Sequence, residues 1–306
     1  MKGCEAEFPV WARWENPGLI KKITGGVAAL FGLNRGGRNF PVFPDDTFLV
    51  SYPRSGNTWT RFLIANFIYE DDPVTFANIE DRIPDPVAVS RRRLAKLRRP
   101  RIVKSHEYFH PLYRKVIYIV RDPRDVAVSN YYFQLKKRFI PNGFPMDQYV
   151  SRFVIGGIDM YASWGENVSS WLATRGRRGD FLLLKYEEMT EQPERELSKV
   201  ASFLGMEATP ERLTRAVELS SADRMRELER AEANVWAATK KTRKDIPFVR
   251  GAMVGGWSSA LSEEQVSQIE SAWGPLMEVL GYELVTQPRT DDSKAALWTT
   301  LLGAKR

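Results

Sequence analysis

The segment Tyr52-Pro53-Arg54-Ser55-Gly56-Asn57-Thr58-Trp59 gathers a cation and several hydrogen-bond donors around one glycine. Arg54, Ser55, Asn57 and Thr58 carry donor side chains, and Gly56 permits a tight turn that leaves backbone N–H groups facing the same way. A β-branched and aromatic run precedes it and a helical pattern follows it, so the loop opens at the positive end of a helix dipole. An anion would sit there. The order G-x-x-x-x-G-K-[ST] of a Walker A loop is absent, because the cation precedes the glycine here. Three further residues with chemical potential stand at comparable places. His106, Arg121 and Tyr186 each follow directly on a short apolar run. An imidazole with an ordinary pKa of about 6.5 suits proton transfer near neutral pH.

The elements that would hold these residues alternate between strand and helix. Strands are expected at 47–52, 101–104, Lys115–Val120 and Phe181–Lys185. Trp59, Phe62, Leu63, Phe67 and Ile68 give helical spacing over 58–70, and 71–90 reads as Asp- and Pro-punctuated loop. Asp122 is a candidate N-cap with Pro123 at the first helical position, and Val126, Ser129, Asn130 and Phe133 share one face of that helix. Pro141, Gly143, Pro145, Gly156 and Gly157 mark 137–157 as a surface excursion. A helix over 159–174 lines up Tyr161, Trp164, Val168, Trp171 and Leu172 as core. Helices follow at Pro193–Leu204, closed by Gly205, and after Thr209-Pro210. Charges alternate with Gly and Pro over 224–256, where 240–244 reads as a mobile basic loop. Ser262 with Gln265 is a capping box for a last helix that Gly281 ends. This alternation predicts an α/β fold of three layers, a mostly parallel central sheet with helices on both faces. Ligands of such sheets collect at the carboxyl ends of the strands, where Arg54, His106, Arg121 and Tyr186 all fall.

Length and composition bound the answer. A chain of 306 residues with 43% hydrophobic and 27% charged residues fits a globular protein. We expect one domain over 45–282, an N-terminal extension over 1–44 that packs on it, and a C-terminal tail over 283–306. No apolar run reaches the roughly 20 residues that a membrane-spanning helix requires, and the N-terminus is unlike a cleavable leader. The single cysteine, Cys4, agrees with a reducing compartment, and the expected location is the cytoplasm. A net charge of +7 favours an anionic ligand without naming it. The basic run over 91–101 reads as a solvated helix face leading into a strand, in preference to a nucleic-acid patch.

The chain resembles the cytosolic-type sulfotransferase family over residues 44–282. The family's YPKSGTTW loop corresponds to Tyr52–Trp59, its 3′-phosphate motif to VIYIVRDPRDVAVSNYYF over 116–133, and its histidine segment to PRIVKSH over 100–106. The resemblance implies a P-loop-like phosphosulfate-binding loop. It also implies transfer of a sulfuryl group from 3′-phosphoadenosine 5′-phosphosulfate (PAPS), releasing adenosine 3′,5′-bisphosphate (PAP), with no metal required. Arg54, Ser55, Gly56, Asn57 and Thr58 would hold the 5′-phosphosulfate, and Trp59 would stack on adenine. His106 would be the general base, with Arg54 and Lys104 supplying charge at the transferred group. Arg121, Ser129, Arg250 and Gly251 would hold the 3′-phosphate, and Tyr186, Ser221 and Met225 would stand on the adenine side. Three departures from the family pattern stand out: Arg54 replaces the usual lysine, Ala222 replaces an aromatic, and Arg250-Gly251-Ala252 lacks one cation. His110 reads as substrate-side or structural.

The acceptor would be a small molecule, lipid or glycan with a hydroxyl or amine. Tyr108, Phe109, Phe133, Phe144 and Tyr149 are candidates to line its pocket, or else ordinary core and loop aromatics. A homodimer is left open, and no nucleic-acid partner is expected. Rival readings are a P-loop-like kinase, which would need a Mg²⁺ site, a non-enzymatic binder of polyanions, and a catalytically weakened homologue.

Overall fold

The computed structural model describes residues 40–286, apart from positions 233 and 252. The predicted extension up to residue 39 and the predicted tail from residue 287 lie outside the described residues. Strands β1 (Thr47–Ser51), β2 (Ile102–Ser105), β3 (Lys115–Val120) and β4 (Phe181–Lys185) form one sheet in the order β2-β1-β3-β4, with every neighbouring pair parallel. Val50 is level with Ser105, Ser51 with Ile119, and Val120 with Lys185. The carboxyl ends therefore form one edge.

Side chains alternate across a strand, so each strand feeds two cores. Phe48, Val50, Val116, Tyr118 and Val120 belong to one, and Leu49, Ile102, Ile117, Ile119 and Leu184 to the other. Helix α1 (Asn57–Ile68) lies on the second face, giving it Phe62, Leu63 and Ile64. Two short helices, α2 (Ile79–Arg82) and α3 (Arg91–Lys96), precede β2. The basic run of 91–101 forms α3 and leads into β2, with Leu94 buried; Arg93 and Arg99 pair with Asp81 and Asp45 at the surface, whereas Arg101 is buried against Asp46.

The first face is covered by α4 (Pro123–Lys137), α5 (Met146–Val154) and α6 (Trp164–Arg175), together with the helix over Glu263–Val279. Asp122 caps α4 by accepting from Arg124 N at 2.9 Å, with Pro123 at the helix start. Helix α5 corrects the surface excursion expected at 137–157, because Tyr149, Val150 and Phe153 are fully buried on one face of it. The flanking Pro and Gly residues punctuate its ends and not its interior. Helix α6 starts later than expected, at a Ser163/Glu166 capping box.

After β4 come α7 (Tyr186–Glu191), α8 (Pro193–Leu204), α9 (Pro210–Leu219), α10 (Ala222–Glu232) and α11 (Glu263–Val279). Helices α8, α9 and α10 pack on the second face through Leu197, Leu213 and Leu228. Helix α10 corrects the reading of 224–256 as irregular. The basic stretch of 240–244 is tied down, since Lys136 Nζ donates to Arg243 O at 2.9 Å and to Ile246 O at 2.6 Å. Helix α11 has the expected Ser262/Gln265 capping box.

Candidate active site

The loop after β1 turns on two residues of positive φ, Arg54 at 69° and Gly56 at 92°. Glycine is demanded twice at 56. A Cβ there would lie 2.4 Å from Cδ2 of Tyr186, and φ itself is one that other residues adopt only with strain. The loop and the end of β4 are thus in direct contact. Gly56 caps α1 without any side-chain bond, so the first-turn amides are open to an outside acceptor. Ser55 Oγ is buried without a partner. Asn57 departs from expectation, because its Nδ2 donates to Leu49 O at 3.2 Å and Ser51 Oγ at 3.3 Å. Its amide stitches the loop to β1 and does not add a donor to the concavity.

Arg54 also turns away from where the sequence suggested. Its Nε donates to Ser129 Oγ at 3.2 Å and its Nη2 to Phe248 O at 3.2 Å, between the rings of Phe133 and Phe248. Burial, with Arg121 and Arg250 nearby, lowers it to about 10, which leaves it charged at neutral pH. Arg121 donates to Arg54 O at 3.3 Å and to Met253 O at 3.0 Å, and lies over the Tyr186 ring. Its Nε is buried without a partner. Arg250 sits over Tyr132 with its guanidinium 3.7 Å from the ring centre. Arg54, Ser129, Arg121 and Arg250 therefore converge at one corner of the strand ends. Asp125 secures that corner by accepting from Gly255 N at 2.9 Å and Trp257 N at 3.0 Å. Arg124 is different: it is buried in pairs with Asp122 and Glu270 and serves the fold.

His106 stands just past β2, beside β1. Its Nδ1 bonds Ser51 O at 2.8 Å, so Nδ1 carries the proton and Nε2 keeps a lone pair. Burial and then the Lys104 charge lower its pKa to about 3, which holds the ring neutral. Asn167 Nδ2 donates to His106 O at 3.1 Å and Tyr161 O at 3.0 Å, and the Tyr161 ring lies 5.6 Å from the imidazole. Lys104 Nζ is paired with Asp85 at 2.5 Å, both mostly buried. Nothing in the 71–90 stretch announced Asp85, since the pairing joins distant segments.

Trp59 donates from Nε1 to Ser220 O at 3.0 Å and meets Tyr186 edge-on at 5.7 Å. Ser221 is exposed, and its Oγ accepts from Arg224 N at 3.4 Å at the head of α10. Met225 is 2% exposed and belongs to the second core. Gly251 is exposed beside Arg250. His110 has its ring 4.6 Å from that of Tyr113. Of the candidate pocket aromatics, Tyr149 is core, Tyr108 is exposed, Phe109 packs on Trp171, and Phe133 flanks Arg54.

The parallel sheet thus brings a loop with open first-turn amides, three arginines and a histidine of fixed tautomer to its carboxyl edge. The chain belongs to the sulfotransferase family, whose sulfotransferase domain matches residues 44–281, and it is an enzyme of that class. It is 31% identical over 244 residues to a 3-beta-hydroxysteroid sulfotransferase of Cavia porcellus, covering 76% of this chain and 84% of that protein. It is 28% identical over 263 residues to sulfotransferase 1B1 of Mus musculus, covering 81% and 87%. In fold it is similar to retinol dehydratase in complex with androsterone and the inactive cofactor PAP, with a TM-score of 0.67, 20% identity and coverage of 83% and 85%. It is likewise similar to mouse sulfotransferase SULT7A1 complexed with PAP, with a TM-score of 0.64, 23% identity and coverage of 91% and 96%. Among the described residues no helix is long and apolar enough to cross a membrane.

Proposed function

We propose that this sulfotransferase moves a sulfuryl group from PAPS to a hydroxyl of a small-molecule acceptor in the cytoplasm, by in-line displacement with His106 as general base. PAPS supplies a sulfuryl group on a phosphate leaving group. The observation that carries the reading is the fixed tautomer of His106, whose free Nε2 stands at the same strand edge as the converging arginines. Ser55 Oγ and Arg121 Nε, buried donors without protein partners, fit an anionic ligand in two parts. Arg121, Ser129 and Arg250 would hold the 3′-phosphate. Ser55, Thr58 and the amides from Gly56 onward would hold the 5′ side, and Trp59 with Tyr186 would face adenine.

The acceptor's oxygen–sulfur bond forms as the sulfur–phosphate oxygen bond breaks. His106 Nε2 takes the acceptor proton, and the electron pair remains on the phosphate. Fixed cations and N–H dipoles stabilise that developing charge without reorganising. Arg54 sits at the Ser129 corner, bonded to that hydroxyl, and is a poor proton donor by comparison with lysine. Lys104 would supply the nearer charge, held by Asp85.

The test is sulfuryl transfer from PAPS across alcohols and phenols, with PAP as the counted product. His106→Ala should lower kcat about 100-fold or more while PAP binding persists. Equal turnover in variant and parent would remove His106 from the mechanism.

A further inference from the structure

A set of unsatisfied oxygen atoms lies next to the strand edge and is used by none of the steps above. Asp159 is partly buried, and its Oδ2 accepts from Asn130 Nδ2 at 2.7 Å. No other hydrogen bond to this carboxylate is made among the described residues. Around it stand three side chains that are buried and incompletely bonded. Asn130 is 0% exposed with Oδ1 unpartnered, Tyr52 is 1% exposed with its hydroxyl unpartnered, and Tyr149 is 0% exposed with its hydroxyl unpartnered. Both phenols feel the Asp159 charge, and burial pushes the Asp159 carboxyl up to about 6.

The position ties this set to the acceptor side. Tyr52 is the residue that opens the loop of Arg54, and Asn130 follows Ser129, the partner of Arg54. Tyr161, two residues beyond Asp159, has its ring 5.6 Å from that of His106. Residues 159–161 therefore run from the Arg54 corner to the base.

The chemistry of the set selects its ligand. Asp159 Oδ1 and Asn130 Oδ1 only accept, whereas each phenol has a proton to give and can also accept. An ammonium group would serve the acceptors and leave the phenol protons without a partner. A carboxylate ligand would be repelled. A hydroxyl does both, donating to the carboxylate while accepting from a phenol.

We propose that Asp159, with Asn130, Tyr52 and Tyr149, forms a hydroxyl-recognition subsite, so that favoured acceptors carry a second hydroxyl besides the one that receives the sulfuryl group. The inference rests on the sulfotransferase reading above.

The experiment compares primary alkanols of about four to eight carbons with the matching α,ω-diols and ω-amino alcohols, since the chain series scans the unknown separation. Affinity for the protein–PAP complex is measured by calorimetry, and kcat/KM by transfer from PAPS. Two equivalent ends give a diol at most a factor of about two by statistics, and an uncompensated polar end weakens it further. At the matching length the diol should exceed its alkanol about tenfold, the scale of a hydrogen bond to a charged group. Asp159→Ala should bring that ratio to two or below, and Asp159→Asn, which keeps the shape and removes the charge, should lower it as well. A diol advantage of two or less at every length, its persistence in both variants, or a stronger preference for the amino alcohol overturns the subsite. PAP binding without a diol advantage defeats this inference alone, whereas a parent protein that fails to bind PAP defeats the sulfotransferase reading with it.

Discussion

At the scale of single residues the site depends on protons held where solution chemistry would not hold them. His106 is lowered to about 3, chiefly by burial and then by Lys104, so it is neutral throughout the physiological range. In the ligand-free protein the NMR shifts of the His106 ring should stay level from about pH 8 to about pH 5, because the buried imidazole does not take up a proton in that window. A titration step centred near 6.5 would contradict it. Asp159 is shifted the other way, raised by burial to about 6. Between the ordinary carboxylate value near 4 and about 6, the folded chain holds more protons than the unfolded one, so this group's contribution falls as pH rises. Asp159→Asn should therefore stabilise the protein at pH 7.5 by on the order of 1 kcal/mol relative to its effect near pH 4. Urea denaturation at both values checks it, and an equal difference at both would contradict the assignment. Partners of this kind were the least legible part of the site. Asp85 with Lys104, and Asp159 with Asn130, join segments that no local spacing relates.

At the scale of elements, the contact between the β1 loop and the end of β4 holds the site together. Gly56→Ala forces a Cβ into the Tyr186 ring at an unfavourable φ. The loss should be about 2 kcal/mol or more, with a matching fall in Tm and in PAP affinity. An unchanged Tm would mean that the loop is not built as described. Local signals carried most of this architecture in the sequence. Continuous apolar runs marked β3 and β4, Asp122-Pro123 marked the start of α4, and Ser262 with Gln265 marked α11, because each signal acts within a few residues. Helix α5 was obscured by Pro145 and Gly156 at its two ends, although its Tyr149, Val150 and Phe153 make a helical stripe. Helix α10 was obscured by its charges, since only Met225, Leu228 and Glu229 are buried and the rest faces outward. Asn57 and Arg54 kept their residue types but not their expected aims. Which way a donor points is decided by neighbours such as Ser51 and Phe248, which folding supplies.

At the scale of the whole molecule, the parallel sheet brings the ends of four strands to one edge, where Arg54, Arg121 and Arg250 lie close to one another. On the proposed mechanism chelators should leave turnover unaffected, because these guanidiniums and the loop amides would supply the charge that a kinase takes from Mg²⁺. Activity lost with chelator and restored by Mg²⁺ would contradict that division of labour. The central claim is that Arg121, Ser129 and Arg250 recognise a 3′-phosphate, and it can be tested before any acceptor is known. The measurement is the shift in Tm with PAP, set against AMP and adenosine 5′-phosphosulfate at equal concentration, in the parent and in Arg121→Ala. A ligand at about 100 times its Kd stabilises by about 2.7 kcal/mol, while ligands lacking the 3′ group would leave Arg121 without the proposed charge-assisted contact. PAP should give a large shift, the other two nucleotides much smaller ones, and Arg121→Ala should abolish the difference. Equal shifts with PAP and AMP in the parent protein would contradict 3′-phosphate recognition.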